Sequence, residues 1–113
     1  MQIIFESRDA EGAHIRDLSI ERVRFALRRL TALVLRAKVR FSDVNGPRGG
    51  VDKRCQVELS TESAGTVVIA SLARDWRSAL DRSLARATRV LTRSLQRSQK
   101  PARGRTAKLA LDS

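Results

Sequence analysis

Between Asp75 and Arg97 the chain carries two interleaved stripes, and this segment constrains the fold more than any other. Trp76, Leu80, Leu84, Ala87, Leu91 and Leu95 recur at spacings of four, four, three, four and four, while Arg82, Arg86, Arg89, Arg93 and Arg97 recur at four, three, four and four. At ~100° per residue in an α-helix, the two stripes lie about 145° apart. The spacing predicts a helix capped by Asp75 and running to about Arg97, with its leucines on a core and its arginines toward solvent. A helix with one buried face needs an opposing layer, so the rest of the chain must supply one.

The remaining sequence offers strands for that layer. Ile3 to Phe5 form a short apolar run that suits a strand with Ile3 and Phe5 on one face. Arg8 to Arg16 is polar and reads as a loop. A first helix is expected to start near Asp17 or Ser19, either of which can cap it. Ile20, Val23, Ala26, Leu27, Leu30 and Leu33 or Val34 then make its apolar face, with Arg22, Arg24, Arg28 and Arg29 opposite. From Leu35 the period switches to two: Leu35, Ala37, Val39 and Phe41 alternate with Arg36, Lys38, Arg40 and Ser42. Asn45 to Gly50 is dense in turn residues and reads as a loop. Lys53, Cys55, Val57 and Leu59 then resume the alternation, so the two strands form a hairpin. Ser60 to Gly65 is a second turn, and Val67 to Leu72 a third strand of that run.

The expected order is β-α-β-β-β-α. The fold class is α+β, a two-layer sandwich with two helices on one face of a four-stranded mixed sheet and one parallel pairing through the helical crossover. The domain is expected to span 1–97. Residues 98–113, with Pro101, Gly104 and four basic residues, read as a flexible basic tail.

Composition narrows the function. In 113 residues there are 23 Lys or Arg against 12 Asp or Glu, a formal charge of +11. Lysine occurs only at 38, 53, 100 and 108, so the other 19 are arginine, whose guanidinium fork suits phosphate oxygens better than an ammonium does. Such excess calls for a polyanionic partner. The length permits one domain, and with only Phe5, Phe25, Phe41 and Trp76 as aromatics the core must be mainly aliphatic. One cysteine, Cys55, and one histidine, His14, exclude an internal disulfide and a zinc site of standard spacing. No apolar run approaches the ~18 residues of a membrane span, and the acidic N-terminal stretch is unlike a signal peptide. The expected location is the cytoplasm, with no membrane partner.

Each candidate site has a bland alternative. An exposed helix face normally interleaves acids with bases, yet from Arg82 to Arg97 there are five arginines and no acid. Like charges at these spacings cost a few tenths of a kcal/mol per pair, roughly, so the stripe is read as an anion-binding face. The first helix repeats it more weakly, tempered by Glu21, and the two together predict a continuous basic floor. Phe25, among those arginines, either packs under arginine stems, the preferred reading, or stacks on a base. Trp76 reads as a core anchor and Cys55 as a small core hydrophobe. Asn45 to Gly50 lacks the Gly-Lys-Ser/Thr ending of a phosphate loop, and Asp43 and Asn45 lack the later ligands of a calcium loop. The other acids are scattered and His14 has no nucleophile patterned around it. Neither an enzyme, nor a cofactor, nor a small-molecule substrate is expected.

The hairpin text Phe41-Ser-Asp-Val-Asn-Gly-Pro-Arg-Gly-Gly-Val-Asp-Lys-Arg-Cys55 and the helix opening Asp75-Trp-Arg-Ser-Ala-Leu-Asp-Arg82 resemble the ribosome hibernation promoting factor family, also called sigma-54 modulation proteins, over about Met1 to Arg97. The resemblance implies a domain similar to the double-stranded-RNA-binding fold. It also implies a translation inhibitor that sits in the mRNA and tRNA channel of the small ribosomal subunit during stress or stationary phase, acting by occupancy. Matching positions for rRNA contact are Arg22, Arg28 and Arg29 in the first helix and Arg82, Arg86, Arg89 and Arg93 in the second. The stripe extends these to Arg97. The chain resembles the short form, without the C-terminal domain that pairs ribosomes, and is expected to be monomeric off the ribosome. A transcription modulator acting through an apolar patch, for which only Phe25 and Ile4 are candidates, and a general structured-RNA binder are the competing readings.

Overall fold

The computed structural model describes residues 1–44 and 52–99. Seven elements follow one another: β1 (Gln2–Ser7), α1 (Ala10–Ala13), α2 (Arg16–Ala26), β2 (Val34–Asp43), β3 (Lys53–Thr61), β4 (Thr66–Ala73) and α3 (Trp76–Gln99). The strands form one sheet in the order β1-β2-β3-β4. β1 runs parallel to β2, and the β2–β3 and β3–β4 pairs are antiparallel. This is the expected α+β sandwich with a mixed sheet, plus one short helix. The expected loop at Asn45 to Gly50 lies outside the described residues. So do residues 100–113 of the expected tail, and α3 itself extends two residues past Arg97.

Alternation explains how the strands address the core. Ala37, Val39 and Phe41 of β2 and Cys55, Val57 and Leu59 of β3 are buried on the helix-facing side, and their partners Lys38, Arg40, Gln56 and Glu58 lie opposite. Leu80, Leu84, Ala87, Leu91 and Leu95 of α3 close over them, as the stripe requires. Ser83, fully buried on α3, donates its hydroxyl to the Cys55 carbonyl at 2.9 Å, seating the helix on β3. Burial pushes the Cys55 thiol up to about 12, consistent with a core role.

An aromatic cluster fixes the end of the sandwich near α1. Trp76 stacks on Phe41 with centroids 4.9 Å apart, and Phe5 meets Phe41 edge-on at 5.2 Å. Gly12 is pressed against this cluster: a Cβ there would stand 2.7 Å from Ser7 Oγ, 3.0 Å from Phe41 Cδ2 and 3.3 Å from Trp76 Cε2. Asp9 caps α1, accepting from the backbone N–H of Glu11 and Gly12, so part of the expected loop at Arg8 to Arg16 is helical.

Three expectations are corrected. The first long helix starts at Arg16 with no side-chain cap; Ser19, one of the two expected caps, is buried inside α2 and donates to the Ile15 carbonyl at 2.7 Å, and Asp17 lies in its first turn. That helix ends at Ala26, not near Leu33. Residues 27–33 form successive turns, with Leu30 N–H on Leu27 O, Leu33 N–H on Leu30 O and the Thr31 hydroxyl on Leu27 O. Turns closed every three residues keep an apolar face much like a helix, which is why the sequence pattern overran. Leu35 is 53% exposed while Val34 is buried, because the β2–β3 register shifts between Val34 and Arg36 and moves the alternation by one.

Lys53, which the alternation puts on the inward face, sits at its rim. Its ammonium holds Asp43 at 2.8 Å and Asp52 at 3.5 Å and stands 5.5 Å from the Trp76 ring centroid. The hydrogen bond to Asp43 raises its pKa. Asp43 is thus engaged by the Lys53 ammonium.

Candidate nucleic-acid interface

The charge of the folded part resides in the helical layer. Residues 16–33 hold five arginines against Asp17 and Glu21, a net +3, and residues 76–97 hold six against Asp81, a net +5. Every other residue from 1 to 97 sums to zero. On the outer sheet face Glu6 pairs with Arg40 at 3.0 Å and with Lys38 at 3.8 Å, so cations there are partly answered.

Within the layer the candidate arginines occupy different settings. Arg22 on α2 crosses to Asp81 on α3 at 3.2 Å and is only about a third exposed, so it ties the helices together instead of pointing outward. Arg28 and Arg29, expected on the first helix, are exposed in the turns after it. The Arg28 guanidinium lies 4.1 Å from the Phe25 ring centroid and donates to the Phe25 carbonyl at 2.7 Å. Phe25 thus carries the Arg28 guanidinium on its ring and is not packed away beneath arginine stems: 67% of it remains exposed.

The stripe on α3 is exposed throughout, at Arg82, Arg86, Arg89, Arg93 and Arg97. Its first half leans over β4, the outermost strand of the sheet. Arg82 donates to the Leu72 carbonyl at 2.9 Å; Arg86 donates to the Ala70 carbonyl at 3.4 Å and to the Ser71 hydroxyl at 3.3 Å. These carbonyls belong to an edge strand and have no strand partner on that side. Arg54 of β3, a cation that the helical stripes do not include, joins them around a recess of about 360 Å³. The signal was present in the alternation, since Arg54 stands opposite Leu72 in the register. Arg89 and Arg93 meet no acidic or carbonyl partner among the described residues, and Arg97 donates to Ser94 on its own helix.

The expected continuous basic floor is interrupted. Between α2 and α3 runs a groove of about 490 Å³ lined by apolar side chains, Glu21, Arg22 and Asp81. Arg22, its one cation, is already paired. More apolar surface is exposed than the two residues expected: Leu33, Leu35, Val68, Leu72 and Val90 join Phe25, whereas Ile4 is half-buried. Among the described residues no cluster of potential metal ligands occurs, and no helix is long and apolar enough to cross a membrane.

Asp75 sets the position of the stripe. It accepts from the Ser78 backbone N–H at 2.7 Å and from the Ser78 hydroxyl at 3.0 Å, and these bonds, the backbone one foremost, hold its carboxyl below the usual range. A carboxylate at the N-terminus and Arg97 in the last turn both suit the helix dipole.

No protein-family model and no curated protein sequence matches the chain. Solved structures do. A ribosomal subunit interface protein from Coxiella burnetii superposes with a TM-score of 0.63 at 15% identity, covering 82% of this chain and 96% of that one. The N-terminal domain of Protein Y from Thermus thermophilus superposes with a TM-score of 0.55 at 26% identity, covering 76% of this chain and 90% of that one. The likeness to the ribosome hibernation promoting factor family, drawn from the motif text, is thereby borne out, with the first neighbour speaking for the fold alone.

Proposed function

We propose that this protein is a ribosome-associated factor that binds rRNA of the small subunit in the channel for mRNA and tRNA and so inhibits translation, in the manner of a hibernation factor of stress or stationary phase. It acts by occupancy, without catalysis or cofactor, in the cytoplasm, and is monomeric when off the ribosome. The observation that carries this reading is the segregation of charge: the folded part's net excess lies in residues 16–33 and 76–97 of the helical layer, and the remaining residues up to 97 sum to zero. Two solved neighbours, one described as a ribosomal subunit interface protein, share the fold that presents that layer.

Arg89, Arg93 and Arg97 are the first contacts with phosphate, joined by Arg28 and Arg29 across the layer. Arg82 and Arg86 join once they leave the β4 carbonyls. Arg22 acts mainly by holding the two helices in register. Co-sedimentation of the full chain with purified small subunits tests the reading. Stoichiometric binding that competes with mRNA and initiator tRNA is expected. Failure to sediment with the subunit, or binding indifferent to both competitors, would contradict it.

A further inference from the structure

The groove between α2 and α3 has features that a gap between two helices does not require. Phe25 stands on its rim, two-thirds exposed, at a position where a polar residue would cost nothing. One ring face is covered by the Arg28 guanidinium at 4.1 Å. Ala26 and Ala85 leave the space open, and Leu18 and Leu84 give it apolar walls. Its polar groups are mixed in kind: Glu21 and Asp81 offer carboxylate acceptors, while Arg22 Nε is a buried donor without a hydrogen-bond partner. That nitrogen is closed to solvent and meets an acceptor only when the Arg22 side chain turns toward the groove, a turn favoured because an unmet buried donor costs about 1–3 kcal/mol.

From these features we propose that the groove receives one unpaired RNA base, stacked against Phe25 and read along its polar edge by Glu21, Asp81 and Arg22. A nucleobase is a flat apolar body with donors and acceptors side by side on one edge, which matches apolar walls around two acceptors and one donor. Its attached phosphates would meet Arg28 and Arg29 in a layer that is net positive, whereas an apolar peptide would bring nothing to answer those charges. The carboxylates favour a base with an exocyclic amino group, so adenine, guanine or cytosine fits and uracil fits poorly. The inference rests on the proposed rRNA binding and adds to it a base-reading subsite separate from the arginine stripe.

Two measurements on the full chain test it. The first titrates short single-stranded oligo(A), oligo(C) and oligo(U), independently of any ribosome. Oligo(A) and oligo(C) are expected to bind more tightly than oligo(U), and Phe25→Ala to weaken them ~5- to 150-fold, the range for one lost base–aromatic stack, with no change in salt dependence. Phe25→Tyr is expected to restore binding. Equal affinity for all three, or an unchanged Phe25→Ala protein, overturns the proposal. The second places a photo-crosslinker at residue 25 in the small-subunit complex. A crosslink to an rRNA base supports the subsite, and a crosslink to a ribosomal protein, or none, overturns it. Loss of subunit binding by the unaltered chain would instead refute the proposed function, while the oligonucleotide titration would still decide the groove.

Discussion

The two halves of the arginine stripe on α3 share residue type, spacing and exposure, yet they stand in different surroundings. Arg82 and Arg86 lie along β4 and donate to the Leu72 and Ala70 carbonyls; Arg89 and Arg93 reach no strand oxygen. Helical spacing decides which way an arginine points, and the element beside it decides whether its donors are already engaged. For the first pair, meeting a phosphate means giving up hydrogen bonds worth ~0.5–1.5 kcal/mol each. The second pair gives up no such bond among the described residues. The first half thus guards a sheet edge and the second half is open to a polyanion.

The largest effect separating the halves is expected from charge reversal. Arg89→Glu with Arg93→Glu should weaken small-subunit binding by on the order of 100-fold, since two attractions to phosphate become repulsions. Chemical denaturation should show stability changed by no more than about 0.5 kcal/mol, as for surface sites without partners. The opposite profile is expected of Arg82→Ala with Arg86→Ala. Losing their bonds to the edge should cost about 1–2 kcal/mol and uncover the β4 edge, seen as concentration-dependent association in light scattering. If both pairs behaved alike in both assays, the division of the stripe would be wrong.

A smaller effect concerns the cap that positions both halves. Asp75→Ala should cost ~1 kcal/mol near neutral pH. Because the folded-state pKa of Asp75 is lowered by its bonds to Ser78, its contribution is present above the ordinary carboxylate value of about 3.9 and fades as pH falls through the lower folded value. The difference between Asp75→Ala and the unaltered protein in denaturation should therefore shrink with acidification below about pH 4. A difference constant down to pH 2 would show that the cap stabilises by something other than its charge.

Legibility in the sequence followed how local the cause was. α3 and β3 were readable because one periodicity runs unbroken through each, and the antiparallel hairpin and the one parallel pairing followed from the order of the elements. The end of α2 was not, since the turns at residues 27–33 preserve an apolar face without a helix; Arg28 and Arg29 were therefore assigned to the wrong element. The register shift beside Val34 left no mark in composition and reversed Leu35. Of the site, the outward stripe was visible. The Arg22–Asp81 pair joins residues 59 apart and the grip of Arg82 and Arg86 on β4 depends on where the sheet ends, so neither could be seen before the layers were assembled.

Salt titration of the small-subunit complex tests the central claim, that free arginines of the helical layer bind rRNA phosphates. The logarithm of the binding constant should fall steeply and linearly with the logarithm of salt concentration, and Arg89→Ala with Arg93→Ala should flatten that slope by about 2, near one unit for each lost phosphate contact. A slope near zero, or one that those two substitutions leave unchanged, would contradict the account.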